Sequence, residues 1–343
     1  MLAPYKKADV SFRIIDEIGQ EGQNSKVYLA HDEYLDCEIA VKEVVKASLS
    51  SPADYFSEAK LLYSSSHPNI VKINYAAIDN DNIYVSMPFY KNGSLSARMI
   101  RENLTSKEVI RYSIHFLSGL HHIHSKKLMH FDIKPNNIML SDRDEALLSD
   151  FGLAETLDPH GFASPKKIYK LHTPPERYSV RVFNLTYDIY QSGLTMYRMA
   201  IGHAAFEDEA EQAFNAGDVP QQIISGSFPK KIFQPHINKS LQKIILKCLE
   251  VDPANRYQSV LDILNDLSGI CDGSLEWRQE VVNPKIWKKE HNDAILELTL
   301  SDDNLSCGCF RTYSDGRARR RFGDMSVSNL TPAKLAKLFK NNG

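Results

Sequence analysis

The chain has 343 residues, 43% of them apolar and 24% charged, with a formal net charge of −2. That length suits two or three domains of ~150 residues, the composition is ordinary for a globular protein, and the charge argues neither for nor against nucleic acid as a general partner. No apolar run reaches the ~18–20 residues of a membrane helix, MLAPYKKADV lacks a basic-then-apolar leader, and the five cysteines are odd in number and mostly scattered, so no disulfide framework and a reducing cytoplasm are expected.

Residues 1–11 read as a polar lead-in. From Phe12, FRIIDEIGQEGQNSKVYLAHDEYLDCEIAVKEVV gathers its apolar and β-branched residues into three short runs separated by glycine-containing or acidic turns, the pattern of an antiparallel meander. PADYFSEAKLLYSSS predicts a helix, with Pro52 in its first turn and Phe56, Ala59, Leu62 and Tyr63 as a stripe. SKEVIRYSIHFLSGLHHIHSKKL predicts a longer helix starting near Ser106, with Ile110, Ile114, Leu117, Leu120 and Ile123 on one side. Its histidines, His115, His121, His122 and His124, have spacings that could hold a metal. Carboxylate and cysteine partners are missing nearby, so core or surface roles are expected.

LMHFDIKPNNIMLSDRDEALLSDFGL, from Leu128 to Leu153, concentrates the chemistry. Lys134 and Asn137 follow Asp132 by two and five residues, and Asp150 lies thirteen beyond Asn137 in a D-F-G triplet. Between them, two short apolar runs joined by a polar turn predict a hairpin that brings both acids to one end. Phosphoryl transfer needs metal ions on phosphate oxygens, a cation on the moving group and a carboxylate to orient the attacking hydroxyl. Asn137 and Asp150 are hard oxygen ligands suited to Mg²⁺. Lys134 is a compact point charge, which leaves Asp132 as the base.

H-x-D-x-K-P-x-N followed at this spacing by D-F-G resembles the catalytic loop and metal-binding triplet of the protein kinases, and the chain from about 12 to 270 resembles the serine/threonine members of that family. The resemblance implies an α+β, two-lobed fold with a small β-rich lobe and a large helical one. It also implies ATP and Mg²⁺ as cofactors and a protein as substrate. The family's glycine loop reads G-x-G-x-x-G-x-V. Counted back from Val27, this chain has Ser25, Gly22 and Gln20 at the three glycine places, with Gly19 one residue early. Ile18, Gly19, Gly22, Ser25 and Val27 are thereby assigned to the nucleotide. Ala40-Val41-Lys42 matches the strand whose lysine reaches the α- and β-phosphates, and Glu58 becomes its ion-pair partner. HPNIVKI resembles the segment after that helix. In NIYVSMPFYKNGSL, Met87 falls at the back of the adenine pocket, with Pro88, Phe89 and Tyr90 as the hinge. Proline there keeps its carbonyl, and Tyr90 supplies the N–H.

His130-Phe131-Asp132 departs from the family's H-R-D. The usual arginine pairs with a phosphate on the activation segment, so this segment, Asp150 to Glu176, is expected to order without that link. Thr156, Ser164, Tyr169 and Thr173 are its candidate modification sites by residue type. TPPE stands where the family has A-P-E, which pairs Glu176 with Arg256 of DPANRY. TYDIYQSGLTMYRMAIGHAAF resembles the central helix of the large lobe. Asp188 should there accept backbone N–H groups of the catalytic loop, and Gly193 should allow close packing. Amphipathic runs at LQKIILKCLE and SVLDILNDLSGI close the domain near residue 270.

Residues 275–343 carry no resemblance and read as a small α+β appendage: strands at AILELTL, CGCFRTY and RARRRFGDMSV, then a helix begun by Thr331-Pro332 with Leu335, Leu338 and Phe339 on one face. Arg317 to Arg321 could contact nucleic acid or an acidic protein patch, and a solvated hairpin rim is the favoured reading. Three rivals stand beside a Ser/Thr protein kinase: a nucleotide-binding scaffold without transfer, a kinase of small molecules, and tyrosine specificity. The intact Lys42, Asp132, Asn137 and Asp150 oppose the first. Glu176, Asp188, Arg256 and the full activation segment favour a protein substrate over the second, and Lys134 favours Ser/Thr over Tyr.

Overall fold

The computed structural model describes residues 9–20, 25–48, 56–165, 170–271, 274–282, 285–315 and 317–340. The expected meander forms the first three strands of an antiparallel sheet, β1 Phe12–Gln20, β2 Ser25–Asp32 and β3 Cys37–Val45. Helix α1, Ser57–Ser64, crosses to β4 Tyr75–Ile78 and β5 Asn82–Pro88, giving the order β1-β2-β3-β5-β4. Alternation along β3 divides its side chains between two faces. Ile39 and Val41 join Ala30 in a small core, while Ala40 and Lys42 face the other way. In α1 the inner places go to Ala59 and Leu62, whereas Tyr63, expected on that stripe, is exposed where the helix ends and the packed Leu61 takes its side.

The second lobe is built on helices. They are α2 Leu95–Arg101, α3 Ser106–Ser125, α4 Thr186–Ile201, α5 His203–Ala216, α6 Val219–Ile224, α7 Lys239–Cys248 and α8 Val260–Ser268. Helix α3 starts at Ser106, as expected. Thr105 is the N-cap, and its hydroxyl and the Glu108 carboxylate satisfy each other's backbone N–H groups in a capping box. All 16 residues of α4 are buried: its apolar and aromatic side chains pack into the core, and Asp188, Gln191 and Arg198 are hydrogen-bonded there. Gly193 permits the tight crossing of α4 on α7: a Cβ there would stand 2.5 Å from that of Cys248.

Four short strands complete this lobe at the cleft. β6 Leu128–Met129 pairs with β9 Glu155–Thr156. β7 Ile138–Leu140 and β8 Ala146–Leu148 form the hairpin foreseen between the two acids.

The C-terminal region is richer in strands than its sequence suggested. β10 Arg278–Val281 and β11 Ile286–His291 precede the expected β12 Ala294–Leu300 and β13 Ser306–Tyr313. The run RARRRFGDMSV is not one strand. It divides into β14 Arg320–Arg321, a 3₁₀ turn and β15 Val327–Ser328, both strands pairing with β13. Met325 is buried in that turn, so the chain leaves the ladder to fill the core. Helix α9, Pro332–Lys340, packs Leu335, Leu338 and Phe339 against Trp277 and Trp287. Arg317 pairs with Asp293 and Asp315, and Arg319 pairs with Glu297 while lying over the Phe310 ring. Much of the basic cluster is therefore a neutralised hairpin rim.

This region is docked on the helical lobe. Trp287 Nε1 donates to His236 Nδ1 at 2.9 Å, both side chains being buried. Arg278 joins Glu108 at the start of α3. The Lys107 N–H donates to the Leu275 carbonyl.

Candidate active site

Three cross-strand neighbours, Gly19, Val27 and Lys42, line up across β1, β2 and β3, and Val85 of β5 extends the row. Opposed residues on paired strands share a face, so Val27 and Lys42 point together. Two residues along, Ala40 and Met87 form the next pair of that face. Ile18 is the extra residue of a β-bulge in β1, half-exposed beside this row. Ser25 begins β2 and Pro88 ends β5, with Tyr90 just beyond. Gly22 lies outside the described residues.

Lys42 Nζ is buried and held by both oxygens of Glu58, at 3.0 and 3.1 Å, and by Asp150 Oδ1 at 3.2 Å. The small-lobe strand, α1 and the D-F-G triplet are thus joined at one ammonium. Burial pushes the Asp150 carboxyl up. Lys42 above all, with His130 and the Gly152 N–H, outweighs this and leaves it below the usual carboxylate range. Asp150 has φ +57°, the left-handed region, and a Cβ on Gly152 would approach its Oδ1 to 3.2 Å, so the triplet's glycine makes room for the carboxylate.

The second cluster is local in sequence. Asp132 Oδ2 accepts from Lys134 Nζ at 2.7 Å and from Asn137 Nδ2 at 2.7 Å. Asn137 Nδ2 also donates to the Asp132 carbonyl, which turns the carboxamide oxygen away from Asp132. Asp132 Oδ1 is buried and has no hydrogen-bond partner among the described residues. A buried acceptor left unpaired costs ~1–3 kcal/mol, and such a group in a cleft is fitted to receive a donor from outside the chain. The two clusters are bridged by His130, whose Nε2 meets the Ser149 carbonyl at 3.0 Å and whose ring stands edge-on to Phe151.

Asp188 holds the loop from behind, as its position in α4 suggested. Its carboxylate accepts the N–H groups of His130 at 2.8 Å and Phe131 at 2.9 Å. It also contacts His124 Nε2 at 2.8 Å. Burial pushes this carboxyl up, and His124 and the His130 N–H reverse the direction. Sequence reasoning left His124 among four equivalent histidines; only the packing of α3 on α4 singles it out. Gln191, one turn beyond Asp188, accepts the Ile133 N–H and donates to the carbonyls of Phe131 and His172, contacts no local pattern announced.

Phe131 is buried at φ +64° among Met129, Ala163, Phe183 and Tyr187, 5.0 Å edge-on from the Tyr187 ring. Ala163 of the activation segment exchanges two 2.8 Å backbone hydrogen bonds with Phe183. Where the resemblance leads one to expect arginine and phosphate, this chain has an aromatic cluster. Glu176 and Arg256 form the expected two-pronged pair at 2.8 and 2.7 Å. Of the candidate modification sites, Thr156 and Ser164 are exposed, Thr173 is buried, and Tyr169 lies outside the described residues.

A five-stranded lobe over a helical lobe, with an ion-paired lysine reaching a D-F-G aspartate across the cleft, defines the architecture of a phosphotransferase of the kinase type. Residues 12–266 match the protein kinase domain family, and the chain belongs to it. It is 28% identical over 292 residues to a probable serine/threonine-protein kinase of Clostridium acetobutylicum, covering 82% of this chain and 43% of that protein. It is 27% identical over 275 residues to serine/threonine-protein kinase PrkC of Bacillus subtilis, covering 78% and 41%. It is also 28% identical over 272 residues to serine/threonine-protein kinase ULK3 of Mus musculus, covering 76% and 56%. The chain spans about half the length of the curated relatives it matches. Protein kinases generally use ATP and Mg²⁺. No helix among the described residues is long and apolar enough to cross a membrane.

Proposed function

We propose that this protein transfers the γ-phosphate of ATP to serine or threonine hydroxyls of proteins, itself included. The observation that carries the reading is Asp132, with one carboxylate oxygen clamped by Lys134 and Asn137 and the other buried without a hydrogen-bond partner among the described residues. A substrate hydroxyl donating to Oδ1 would be oriented for attack and would pass its proton there. Lys134, already beside Oδ2, is placed to steady the moving phosphoryl group. The donor set fits Mg²⁺: Asp150 is held ionised, and the amide oxygen of Asn137 is turned away from Asp132. The bound metal would neutralise charge on the phosphates. Lys42, positioned by Glu58, would meet the α- and β-phosphates. Ile18, Gly19, Gly22, Ser25 and Val27 would cover the nucleotide, with Met87, Pro88 and Tyr90 lining the adenine end.

The printed names of the relatives support a Ser/Thr preference. In this reading residues 12–270 form the catalytic domain and 275–343 an accessory region, in a reducing cytoplasm that suits five unpaired thiols. The test is transfer of labelled γ-phosphate by the purified chain with Mg²⁺, followed by phosphoamino-acid analysis, beside Asp132→Ala. Phosphoserine or phosphothreonine that drops at least a hundredfold in the variant, with ATP binding kept, is the expected result. Undiminished transfer by Asp132→Ala would refute the assignment, and phosphotyrosine would overturn the specificity.

A further inference from the structure

The peptide between Asp132 and Lys134 is gripped from behind by a residue that belongs to neither the catalytic loop nor the nucleotide site. His172 lies near the end of the activation segment and is fully buried. Its Nδ1 is 3.1 Å from the Ile133 carbonyl, and its Nε2 is 2.9 Å from Arg198 Nη1. A guanidinium can only donate, so Nε2 accepts, and the single ring proton sits on Nδ1, where it donates to Ile133. Burial, and then the Arg198 charge, lower the imidazole pKa well below its ordinary value, which keeps this neutral form. Arg198 is itself fixed: it lies 4.4 Å over the Phe206 ring and pairs with Glu207 at 3.4 Å.

The histidine completes a polar stripe on α4. Asp188, Gln191, Thr195 and Arg198 recur at intervals of three and four residues and so share one helix face. Asp188 takes the N–H groups of His130 and Phe131, and Gln191 takes that of Ile133. Thr195 Oγ1 reaches the Ile133 carbonyl only at a long 3.4 Å, so the short contact on that oxygen comes from His172. Ile133 is thus held on both its N–H and its carbonyl, one residue from Asp132 and one from Lys134.

We propose that His172 is a positioning residue that sets the Asp132–Lys134 peptide through its Nδ1–H, linking the order of the activation segment to the geometry of the base. The proposal rests on the kinase reading above. Two substitutions divide the contacts. His172→Asn keeps a donor where Nδ1 stands and loses the acceptor for Arg198; His172→Gln can keep that acceptor and loses the donor. Misplacing a catalytic group by about 1 Å can cost ~10²-fold. His172→Gln is therefore expected to lower kcat roughly tenfold to a hundredfold with KM for ATP within about threefold, and His172→Asn to recover most of the loss.

Hydrogen–deuterium exchange of residues 130–137 supplies a second readout that needs no turnover. Exchange should quicken in His172→Gln and stay near wild type in His172→Asn, with the small-lobe sheet unchanged in both. Equal losses of kcat in the two variants, or no loss in either, would overturn the proposal. If the wild-type chain transfers no phosphate, the kinase reading fails, and the exchange pattern alone decides whether His172 holds the loop.

Discussion

Replacing Phe131 by alanine tests whether an aromatic cluster does here what a phosphate link would otherwise do. The ring is 2% exposed and stands edge-on to Tyr187 at 5.0 Å and to Phe183 at 6.3 Å, with Met129 and Ala163 completing its surroundings. Truncating a buried phenylalanine costs ~3–5 kcal/mol in lost transfer energy and cavity, and an edge-to-face pair adds ~0.5–1.5 kcal/mol beyond area. We expect about 4 kcal/mol, nearly three orders of magnitude in the folded-to-unfolded ratio at ~1.4 kcal/mol per tenfold, and a large share of the ~5–15 kcal/mol typical of a domain. The backbone supplies an internal check. At φ +64° alanine keeps the strain of any side chain in the left-handed region, whereas glycine is relieved of it. Phe131→Gly, although it deletes the same ring, should be no less stable than Phe131→Ala. Urea unfolding followed by near-ultraviolet circular dichroism measures both. Phosphatase-treated wild-type protein should meanwhile keep its transfer activity within about twofold. A loss below ~1 kcal/mol in Phe131→Ala, or inactivity of the dephosphorylated wild type, would refute the reasoning.

Two further outcomes follow from buried groups. Asp188→Ala strands the N–H groups of His130 and Phe131 without an acceptor. At ~1–3 kcal/mol for each unsatisfied group, roughly 3–5 kcal/mol of stability should be lost; a midpoint shift worth under ~1 kcal/mol would show that another acceptor replaces the carboxylate. His236, buried against Trp287, has its pKa lowered by burial from 6.5 to about 3. Between those values the unfolded chain binds a proton that the folded one excludes, so stability falls as pH drops below 6.5, by at most ~1.4 kcal/mol per unit. His236→Asn, which keeps an acceptor for the indole, should remove that slope. Identical pH dependence of wild type and variant between pH 6 and 4 would contradict it.

Much of the site was legible because its parts lie close along the chain. Asp132, Lys134 and Asn137 span six residues, and the β7–β8 hairpin that returns Asp150 to them is a local object announced by two apolar runs and a polar turn. Lys42 and Glu58 were found by resemblance, not by periodicity, since an isolated lysine on a strand and a glutamate on a helix carry no pairing information of their own. In the accessory region the alternation of AILELTL and the face of the terminal helix were sufficient, because each element buries one side. The arginine-rich run was misread as a single strand, since the burial of Met325 that breaks it depends on a core assembled from other strands. β10 and β11 went unnoticed for a related reason: the role of Trp277 and Trp287 appears only when α9 closes over them. The family resemblance carried by the chain's motifs implied the two-lobed plan, and the sequence by itself determined the inventory of charges. Tertiary structure alone decided which of four histidines supports Asp188, that Phe131 fills an aromatic cluster, and that His172 and Arg198 meet behind the loop. Those contacts join residues 26 to 64 positions apart, where no helical or strand period reaches, and burial in a shared core selects the partner.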